Sequence, residues 1–216
     1  MQYTLEDNIA VLNFDDGKVN VVGHQFIDDM TSGLEKAKEE AAAVLITARS
    51  GIFSAGFDLK ELQKGPKESM TLVGRGEKLL TALFSHPQPI VAACDGHAAG
   101  MGAFLLLAAD TRVGSNGDYK VTLPETSIGM PFTDTLTALI RARVESRYQT
   151  ITMLQSQPLT PDLAVKAGFL DIVVPQEQLL VQAMGYAQGL AKLPAKYYAI
   201  NKLDLRSEAL SKMVDA

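Results

Sequence analysis

The chain has 216 residues, of which 47% are hydrophobic, and its formal net charge of −5 is spread without a basic stripe. This composition disfavours a nucleic-acid partner, and the longest apolar run, residues 103–109, is far shorter than the roughly 20 residues that a membrane span needs. The single cysteine, Cys94, excludes an internal disulfide. Together with an N-terminus unlike a signal sequence, it predicts a cytoplasmic protein.

Apolar segments of strand length alternate with segments of helical spacing. Residues 9–14 (IAVLNF) are the first predicted strand, because β-branched and aromatic residues precede a turn at DDG. Apolar residues then recur every three or four positions from Val22 to Ala37, which predicts a helix. Further strands are predicted at 42–48, 90–94, 111–115, 119–123 and 171–175, with helices over 68–84, from residue 101, and over most of the chain after 133. This order predicts an α/β domain with a mostly parallel sheet.

Two segments join a buried strand to the start of a helix through small residues. They are FSAGFDLKEL (53–62) and DGHAAGMGAF (95–104). Backbone N–H groups at a helix N-terminus lack intrahelical partners and carry partial positive charge. Two such turns that converge would stabilise an oxyanion with two donors. Taken alone, each turn is more often an ordinary connection, and neither matches a dinucleotide-binding or P-loop pattern.

Four segments resemble the crotonase (enoyl-CoA hydratase/isomerase) superfamily. FSAGFDLKEL is similar to its F-x-A-G-x-D-L-K-E segment, and DGHAAGMGAFLLLAAD (95–110) to its N-G-x-x-x-G-G-G-x-x-L-x-x-x-x-D segment. LPETSIGMPF (123–132) resembles the stretch with the family's catalytic glutamate, and residues 158–179 resemble its P-L-T-x-x-x-A-x-x-x-G-L-V-x-x-V-V-P segment. The resemblance implies one crotonase domain over 1–216. A ββα spiral core would occupy 1–155, and a helical C-terminal part, shorter than usual for the family, would occupy 156–216.

The resemblance also implies where an acyl-CoA thioester would bind. Its carbonyl oxygen would lie between the backbone N–H groups of Phe57 and Met101. Gly100 and Gly102 would let the thioester approach the main chain. The coenzyme A part would lie along an outer strip formed by Lys18, Val19, Ala55, Asp58 and Leu59. Coenzyme A would be part of the substrate, and we expect no separate cofactor.

By motif position, Glu125 matches the family's second acid, whereas Phe104 stands where many relatives carry the first. One glutamate suits the movement of a double bond better than the addition of water, so we expect an enoyl-CoA isomerase of fatty acid metabolism. An enoyl-CoA hydratase (a lyase) and a non-catalytic acyl-CoA-binding protein remain alternatives. Without the resemblance, Glu125 would be read as a first-turn helix charge. Asp134 is a candidate second acid, although capping of a helix at Thr133 or Asp134 is the simpler interpretation.

Other features predict less specific roles. His24 and Asp28 are four residues apart, but no third ligand accompanies them, so we expect no metal. His97 lies in the second turn and is interpreted as a polar loop residue. The resemblance implies a homotrimer or a hexamer, and no nucleic-acid or membrane partner is expected.

Overall fold

The computed structural model describes residues 1–213. Its strands are β1 (Gln2–Glu6), β2 (Ile9–Phe14), β3 (Val21–Val22), β4 (Ala43–Ala48), β5 (Gly51–Ser54), β6 (Gly56–Phe57), β7 (Ile90–Cys94), β8 (Gly96–Ala99), β9 (Thr111–Ser115), β10 (Val121–Thr122) and β11 (Ile172–Val174). Its α-helices are α1 (His24–Glu40), α2 (Leu59–Leu62), α3 (Pro66–Phe84), α4 (Met101–Ala108), α5 (Asp134–Arg143), α6 (Ser146–Gln149), α7 (Pro161–Ala167), α8 (Leu179–Ala191) and α9 (Ala195–Met213). A π-helical turn (Thr150–Leu154) follows α6, and a 3-10 turn (Gln176–Gln178) precedes α8. Among the helices of this described part, none has the length and hydrophobicity to cross a membrane.

Six strands form the main sheet in the order β1-β2-β4-β7-β9-β11, and only the β1–β2 pair is antiparallel within the described residues. Both faces of the sheet are covered, which explains why its central strands are apolar at successive positions. On one face, Leu45 and Val91 share a buried cluster with Ala183 of α8. On the other face, Ile46 and Ala92 belong to the larger core, together with residues of α1, α3 and α4.

The chain repeats a unit of two strands followed by a helix. The first strand of each unit (β2, β4, β7 or β9) lies in the main sheet. The second (β3, β5, β8 or β10) leaves it for a smaller sheet. The helix α1, α2, α4 or α5 then follows, with the short strand β6 intervening between β5 and α2. The smaller sheets have the order β10-β8-β5 and β3-β6. This arrangement is the ββα spiral that the sequence resemblance implies.

The structure differs from the sequence prediction at its short strands. The small-residue segments that follow β4 and β7 are predicted as turns, but they contain the strands β5 and β8, which pair with each other. Gly96 permits this close pairing, because a Cβ at that position would lie 2.1 Å from the carbonyl carbon of Gly51. The strand predicted over 119–123 is reduced to the two residues of β10. The sequence pattern gives no sign of β1, an edge strand with no buried position.

Helices dominate after Thr133, as predicted, and buried ion pairs attach α9 to the core. Asp110, which follows α4, is paired with two cations of α9. Its Oδ2 lies 2.7 Å from Nζ of Lys202, and its Oδ1 lies 2.7 Å from a guanidinium nitrogen of Arg206. Arg206 also donates a hydrogen bond of 2.6 Å to the carbonyl oxygen of Phe84, at the end of α3. These contacts hold the helical part of the chain against the spiral core.

Candidate active site

The two strand-to-helix turns singled out in the sequence lie against each other. A Cβ at Gly56 would be 3.4 Å from the amide nitrogen of Met101. A Cβ at Gly102 would be only 2.5 Å from the carbonyl oxygen of Ser54. Only glycine allows two backbones to approach this closely. Phe57 directly follows Gly56, so the turns bring the main chains of Phe57 and Met101 into one small region.

Met101 is the first residue of the buried helix α4. Gly100 precedes it with φ of +49° and ψ of −122°, a conformation that favours glycine. The first intrahelical hydrogen bond runs from the N–H of Phe104 to the carbonyl oxygen of Gly100, at 3.1 Å. The N–H of Met101 belongs to the first turn, whose amides have no intrahelical acceptor and carry the positive end of the helix dipole. All eight residues of α4 are buried, which fixes the direction of this amide.

The side chains of Phe57 and Met101 lie against α3. A Cβ at Gly76 of α3 would be 2.6 Å from the ring of Phe57 and 3.3 Å from Cε of Met101. Gly76 therefore provides the space that these two side chains occupy. Where the two turns meet, Phe57 and Met101 contribute their main chains rather than their side chains. An oxyanion hole would use the N–H groups of these main chains.

Glu125 carries a buried carboxyl beside the second turn. It lies in a series of turns (125–129) after β10 rather than at the start of a helix. A Cβ at Gly100 would be 3.2 Å from Oε1 of Glu125. The residue is 7% exposed, and its Oε2 has no hydrogen-bond partner among the described residues. Burial raises the pKa of Glu125 to about 7, and only its own backbone amide opposes this shift. The carboxyl can therefore both accept and release a proton near neutral pH.

Apolar side chains occupy the position at which the sequence resemblance implies the family's first acid. Phe104 of α4 is fully buried. Its ring meets the ring of Phe132 edge-on, with the ring centroids 6.4 Å apart. Phe132 lies in the segment that joins the Glu125 turns to α5. Neither side chain can hold or activate a water molecule, so this part of the structure offers no acid to partner Glu125.

Asp134 and His97 lie at the surface. Asp134 is exposed in the first turn of α5, and Thr133 caps that helix, with its hydroxyl oxygen accepting a hydrogen bond of 3.3 Å from the N–H of Leu136. His97 is an exposed residue of β8, and its Nδ1 accepts a hydrogen bond of 3.2 Å from the N–H of Lys120. These contacts are those of a capped helix and a polar surface residue.

The histidine and aspartate on α1 face a cation. The guanidinium of Arg75 lies 2.7 Å from Nδ1 of His24 and forms an ion pair with Asp28. A fixed positive charge at this point opposes the binding of a metal ion. Within residues 1–213, no group of three or more histidine, cysteine, aspartate or glutamate side chains is arranged to hold one.

The expected coenzyme A strip borders the first turn. The N–H of Ala55 donates a hydrogen bond of 3.0 Å to the carbonyl oxygen of Val19, which joins the two segments of the strip. Asp58 caps α2 through its carboxylate, which accepts a hydrogen bond of 2.9 Å from the N–H of Lys60. Its neighbour Leu59 is 59% exposed. The structure thus brings together Lys18, Val19, Ala55, Asp58 and Leu59 along one largely exposed edge.

Asn20 and Ser54 support the first turn, and the sequence analysis does not find them. Asn20 is buried with φ of +54°, and its side-chain amide donates to the carbonyl oxygens of Ile52 and Phe53, at 3.1 and 3.2 Å. The hydroxyl of Ser54 donates to the carbonyl oxygen of Asn20 at 2.7 Å and accepts from the N–H of Gly56 at 3.2 Å. The one signal in the sequence is that asparagine tolerates a left-handed backbone.

The family of the chain follows from comparison with known proteins. A family model described as enoyl-CoA hydratase/isomerase matches residues 4–214. The chain belongs to the enoyl-CoA hydratase/isomerase family. Relatives of known structure show the same crotonase fold, with TM-scores of 0.97 and 0.94. The fold class and the superfamily expected from the sequence are therefore confirmed.

Members of this enoyl-CoA hydratase/isomerase family that are similar to the chain carry both names. An enoyl-CoA hydratase/isomerase family protein from Pseudomonas syringae has 35% identity and a TM-score of 0.97, covering 99% of this chain and 93% of that one. A protein from Mycobacterium tuberculosis, called an enoyl-CoA isomerase with one structure and a probable enoyl-CoA hydratase with another, has 32% identity and a TM-score of 0.94 in the first, covering 99% and 94%. A probable enoyl-CoA hydratase from Bacillus subtilis is 32% identical over 126 residues, which is 56% of this chain and 48% of that protein. The match thus spans about half the length of the Bacillus relative.

Proposed function

We propose that the protein is an enoyl-CoA isomerase, which moves a carbon–carbon double bond within an acyl-CoA thioester. The observation that carries the proposal is the buried carboxyl of Glu125 beside the second of the two converging turns. Its pKa of about 7 matches the operating pH of a group that must first accept a proton and then return it. One such group is sufficient for isomerisation.

In the proposed reaction, the backbone N–H groups of Phe57 and Met101 donate hydrogen bonds to the thioester oxygen. Ionised Glu125 removes a proton from C2 of a 3-enoyl-CoA, and the electron pair of that C–H bond forms a dienolate. Its negative charge extends to the thioester oxygen, where the two N–H groups stabilise it; one such donor lowers a barrier of this kind by about 2.7–4 kcal/mol. Glu125 then returns the proton to C4, so that the double bond between C3 and C4 is replaced by one between C2 and C3.

The other proposed contacts bind the substrate. Gly100 leaves room for the thioester beside the main chain, next to the carboxyl of Glu125. The space beside Gly102 is filled by the main chain of Ser54, so Gly102 serves to hold the two turns together. The coenzyme A part lies along the strip of Lys18, Val19, Ala55, Asp58 and Leu59. Because the reaction neither adds nor removes atoms or electrons, it requires no cofactor beyond the coenzyme A of the substrate.

Hydration of a 2-enoyl-CoA is the second candidate, and the name of the Bacillus relative favours it. Hydration requires a water molecule that is held and activated on one face of the substrate. In relatives with this activity two acids do so, whereas this chain has Phe104 at the position of the first. The apolar contact between Phe104 and Phe132 therefore favours isomerisation. A crotonase fold that binds acyl-CoA without turnover is the third candidate.

Product analysis separates the three candidates. The protein would be incubated with a 3-enoyl-CoA and, separately, with a 2-enoyl-CoA, and the acyl products identified by mass spectrometry and chromatography. The proposal predicts interconversion of the two enoyl esters and no 3-hydroxyacyl-CoA. Addition of water without isomerisation would reject the proposal in favour of a hydratase. Binding of both esters with neither product would favour the non-catalytic protein.

We further propose that the chain assembles as a homotrimer or a hexamer. Several large apolar side chains on and before α9 are exposed: Leu193, Tyr197, Ile200, Leu203 and Leu205. Clustered exposure of this kind is typical of a protein–protein interface. Light scattering should therefore give three or six times the chain mass of 23.2 kDa, and a monomer at that mass would reject the proposal.

We also propose a cytoplasmic location. The one cysteine, Cys94, is a buried free thiol, which suits a reducing compartment. Recovery of the protein in a secreted or organellar fraction of its source cells would contradict this.

A further inference from the structure

The turns that carry Glu125 are anchored to a distant part of the chain. Residues 126–129 are exposed, and most of their hydrogen bonds are local, such as the 3.2 Å bond from the N–H of Gly129 to the carbonyl oxygen of Thr126. Two bonds reach outside. The hydroxyl of Thr126 donates to the carbonyl oxygen of Met153 at 2.7 Å. The N–H of Ser127 donates to the hydroxyl oxygen of Ser156 at 3.2 Å.

One acceptor, Met153, lies in the π-helical turn (Thr150–Leu154), and the other, Ser156, lies two residues after it. Carbonyl groups in the last turn of a helix have no intrahelical donor, which leaves that of Met153 available to Thr126. The chain reverses immediately afterwards, with a hydrogen bond of 2.9 Å from the N–H of Gln157 to the carbonyl oxygen of Ile151. This closure spans seven residues, 151–157. A left-handed residue just after the end of a helix is usually glycine.

Here the left-handed position is occupied by Ser156, with φ of +48°. A serine is strained in this conformation, whereas glycine is not. Ser156 is 9% exposed, and its hydroxyl oxygen is the acceptor for Ser127, two residues after Glu125. The hydrogen bond to the Glu125 turns accounts for a serine at a site where glycine would fit better. Strain of this kind, held by surrounding contacts, is found at functional sites.

We infer that Ser156 is a positioning residue, which together with Thr126 clamps the turns that carry Glu125 and keeps its carboxyl buried beside Gly100. This inference rests on the proposed role of Glu125 as the acid/base. The clamp acts on the backbone of residues 126 and 127, so it directs the carboxyl without touching substrate. Loosening the clamp would let the exposed turns move outward and admit water to the carboxyl.

The test removes the hydroxyl and the strain together. In Ser156→Gly, glycine suits the left-handed backbone, so the folded state is retained and a lower activity does not reflect unfolding. We expect kcat for isomerisation to fall about tenfold with little change in KM, the size of effect that loss of one positioning hydrogen bond produces. Asn8→Gly is the matched control, because Asn8 also has a left-handed backbone (φ of +66°) but lies in the turn between β1 and β2.

A second readout does not depend on turnover. In ligand-free protein labelled with ¹³C at glutamate carboxyls, the Glu125 signal is assigned from its loss in Glu125→Gln and then titrated. We expect the midpoint, about 7 in the parent, to fall in Ser156→Gly and in Thr126→Val, since a looser loop hydrates the carboxyl. Asparagine tolerates the left-handed backbone and offers a side-chain oxygen as an acceptor. Ser156→Asn should therefore have the parental titration midpoint and the parental kcat.

These outcomes distinguish the clamp from the proposed function. An unchanged midpoint and an unchanged kcat in Ser156→Gly would overturn the positioning role, even if Glu125→Gln is inactive. A loss in Ser156→Gly that Asn8→Gly shares would also overturn it. If instead Glu125→Gln keeps full isomerase activity, the proposed function fails, while a lowered midpoint in Ser156→Gly still supports the clamp.

Discussion

Glu125 is a carboxyl that the folded chain makes difficult to ionise. Its side chain is almost fully buried, and Oε2 has no hydrogen-bond partner among residues 1–213. No charged group contributes to its raised pKa, which distinguishes it from a carboxyl kept neutral by a neighbouring carboxylate. Such a group opposes folding at neutral pH, and groups of this kind cluster at functional sites, which supports the role proposed for Glu125.

This burial predicts how stability depends on pH. The pKa of Glu125 is about 7 in the folded state, above its ordinary value of 4.5, so the folded chain binds more protons between these pH values than the unfolded chain does. Its contribution to stability is therefore full below pH 4.5 and is lost as pH rises through 7. Glu125→Gln should raise the free energy of unfolding at pH 8 by roughly 1–3 kcal/mol, with a much smaller gain at pH 4.5.

Urea unfolding of the parent and of Glu125→Gln at the two pH values checks this prediction. Glu39→Gln, on the exposed face of α1, serves as the control and should leave the difference between the two pH values unchanged. A variant that is equally or less stable than the parent at pH 8 would show that the carboxyl is hydrated in solution.

At the scale of elements, the N-terminus of α4 depends on a glycine. A Cβ at Gly102 would lie 2.5 Å from the carbonyl oxygen of Ser54, a backbone atom that cannot move alone. Gly102→Ala should therefore separate the two turns and remove Met101 from its position beside Phe57. We expect isomerase activity to fall by about two to three orders of magnitude, comparable to the loss of one oxyanion donor.

Gly74→Ala is the matched control for this substitution. Gly74 lies within α3, and a Cβ there would meet nothing within 4 Å. Alanine is the better helix former, so Gly74→Ala should gain about 0.5–1 kcal/mol of stability and keep full activity. Assays of both variants at equal folded concentration, verified by circular dichroism, separate the effect on the site from an effect on folding. Equal activity in the two would contradict the convergence of the turns as the basis of the site.

The longer elements can be predicted from the sequence, whereas the shorter ones cannot. Ile9–Phe14 and Thr111–Ser115 are found within the predicted limits, because runs of apolar residues reflect burial in the main sheet. β5 and β8 escape prediction, since their pairing depends on close approach between Gly51 and Gly96, which are 45 positions apart. A glycine in the sequence can indicate a turn, but it can equally indicate a strand that a neighbouring backbone approaches closely.

At the scale of the molecule, the helical C-terminal part is attached through a buried charge cluster. The side chain of Asp110 is 8% exposed and accepts from Lys202 and Arg206 of α9. Burial lowers the pKa of Lys202 to about 8, and Asp110 is the main opposing influence. Asp110→Asn would leave two buried cations without a carboxylate, so it should destabilise the fold by about 3–5 kcal/mol.

Chemical denaturation measures this loss. Asp118→Asn is the control, because the side chain of Asp118 is 98% exposed although it is paired with Lys120. Stability should be unchanged in that variant. A loss in Asp110→Asn no greater than that of the control would mean that α9 is held by apolar contacts rather than by the charge cluster.

The site itself could be predicted only in part from the sequence. Glu125, Phe57 and Met101 are identified by their positions in segments that resemble a known family. The residues that support them cannot be identified in this way, because each contact joins distant points of the chain. Asn20 lies 32 positions from Ile52, and Ser127 lies 29 positions from Ser156. Isolated asparagine and serine residues carry no local pattern that distinguishes a buried clamp from a surface turn.

The proposed mechanism requires that Glu125 alone moves the proton between C2 and C4. The most direct measurement is the rate of conversion of 3-enoyl-CoA to 2-enoyl-CoA across the pH range, for the parent, Glu125→Gln and Asp134→Asn. In the parent, kcat/KM should rise through pH 7, where Glu125 becomes ionised. Glu125→Gln should lose about 10²–10⁴ of the rate, as expected for removal of a general base, and Asp134→Asn should retain both rate and profile. Isomerisation at the parental rate in Glu125→Gln, or a loss confined to Asp134→Asn, would contradict the claim.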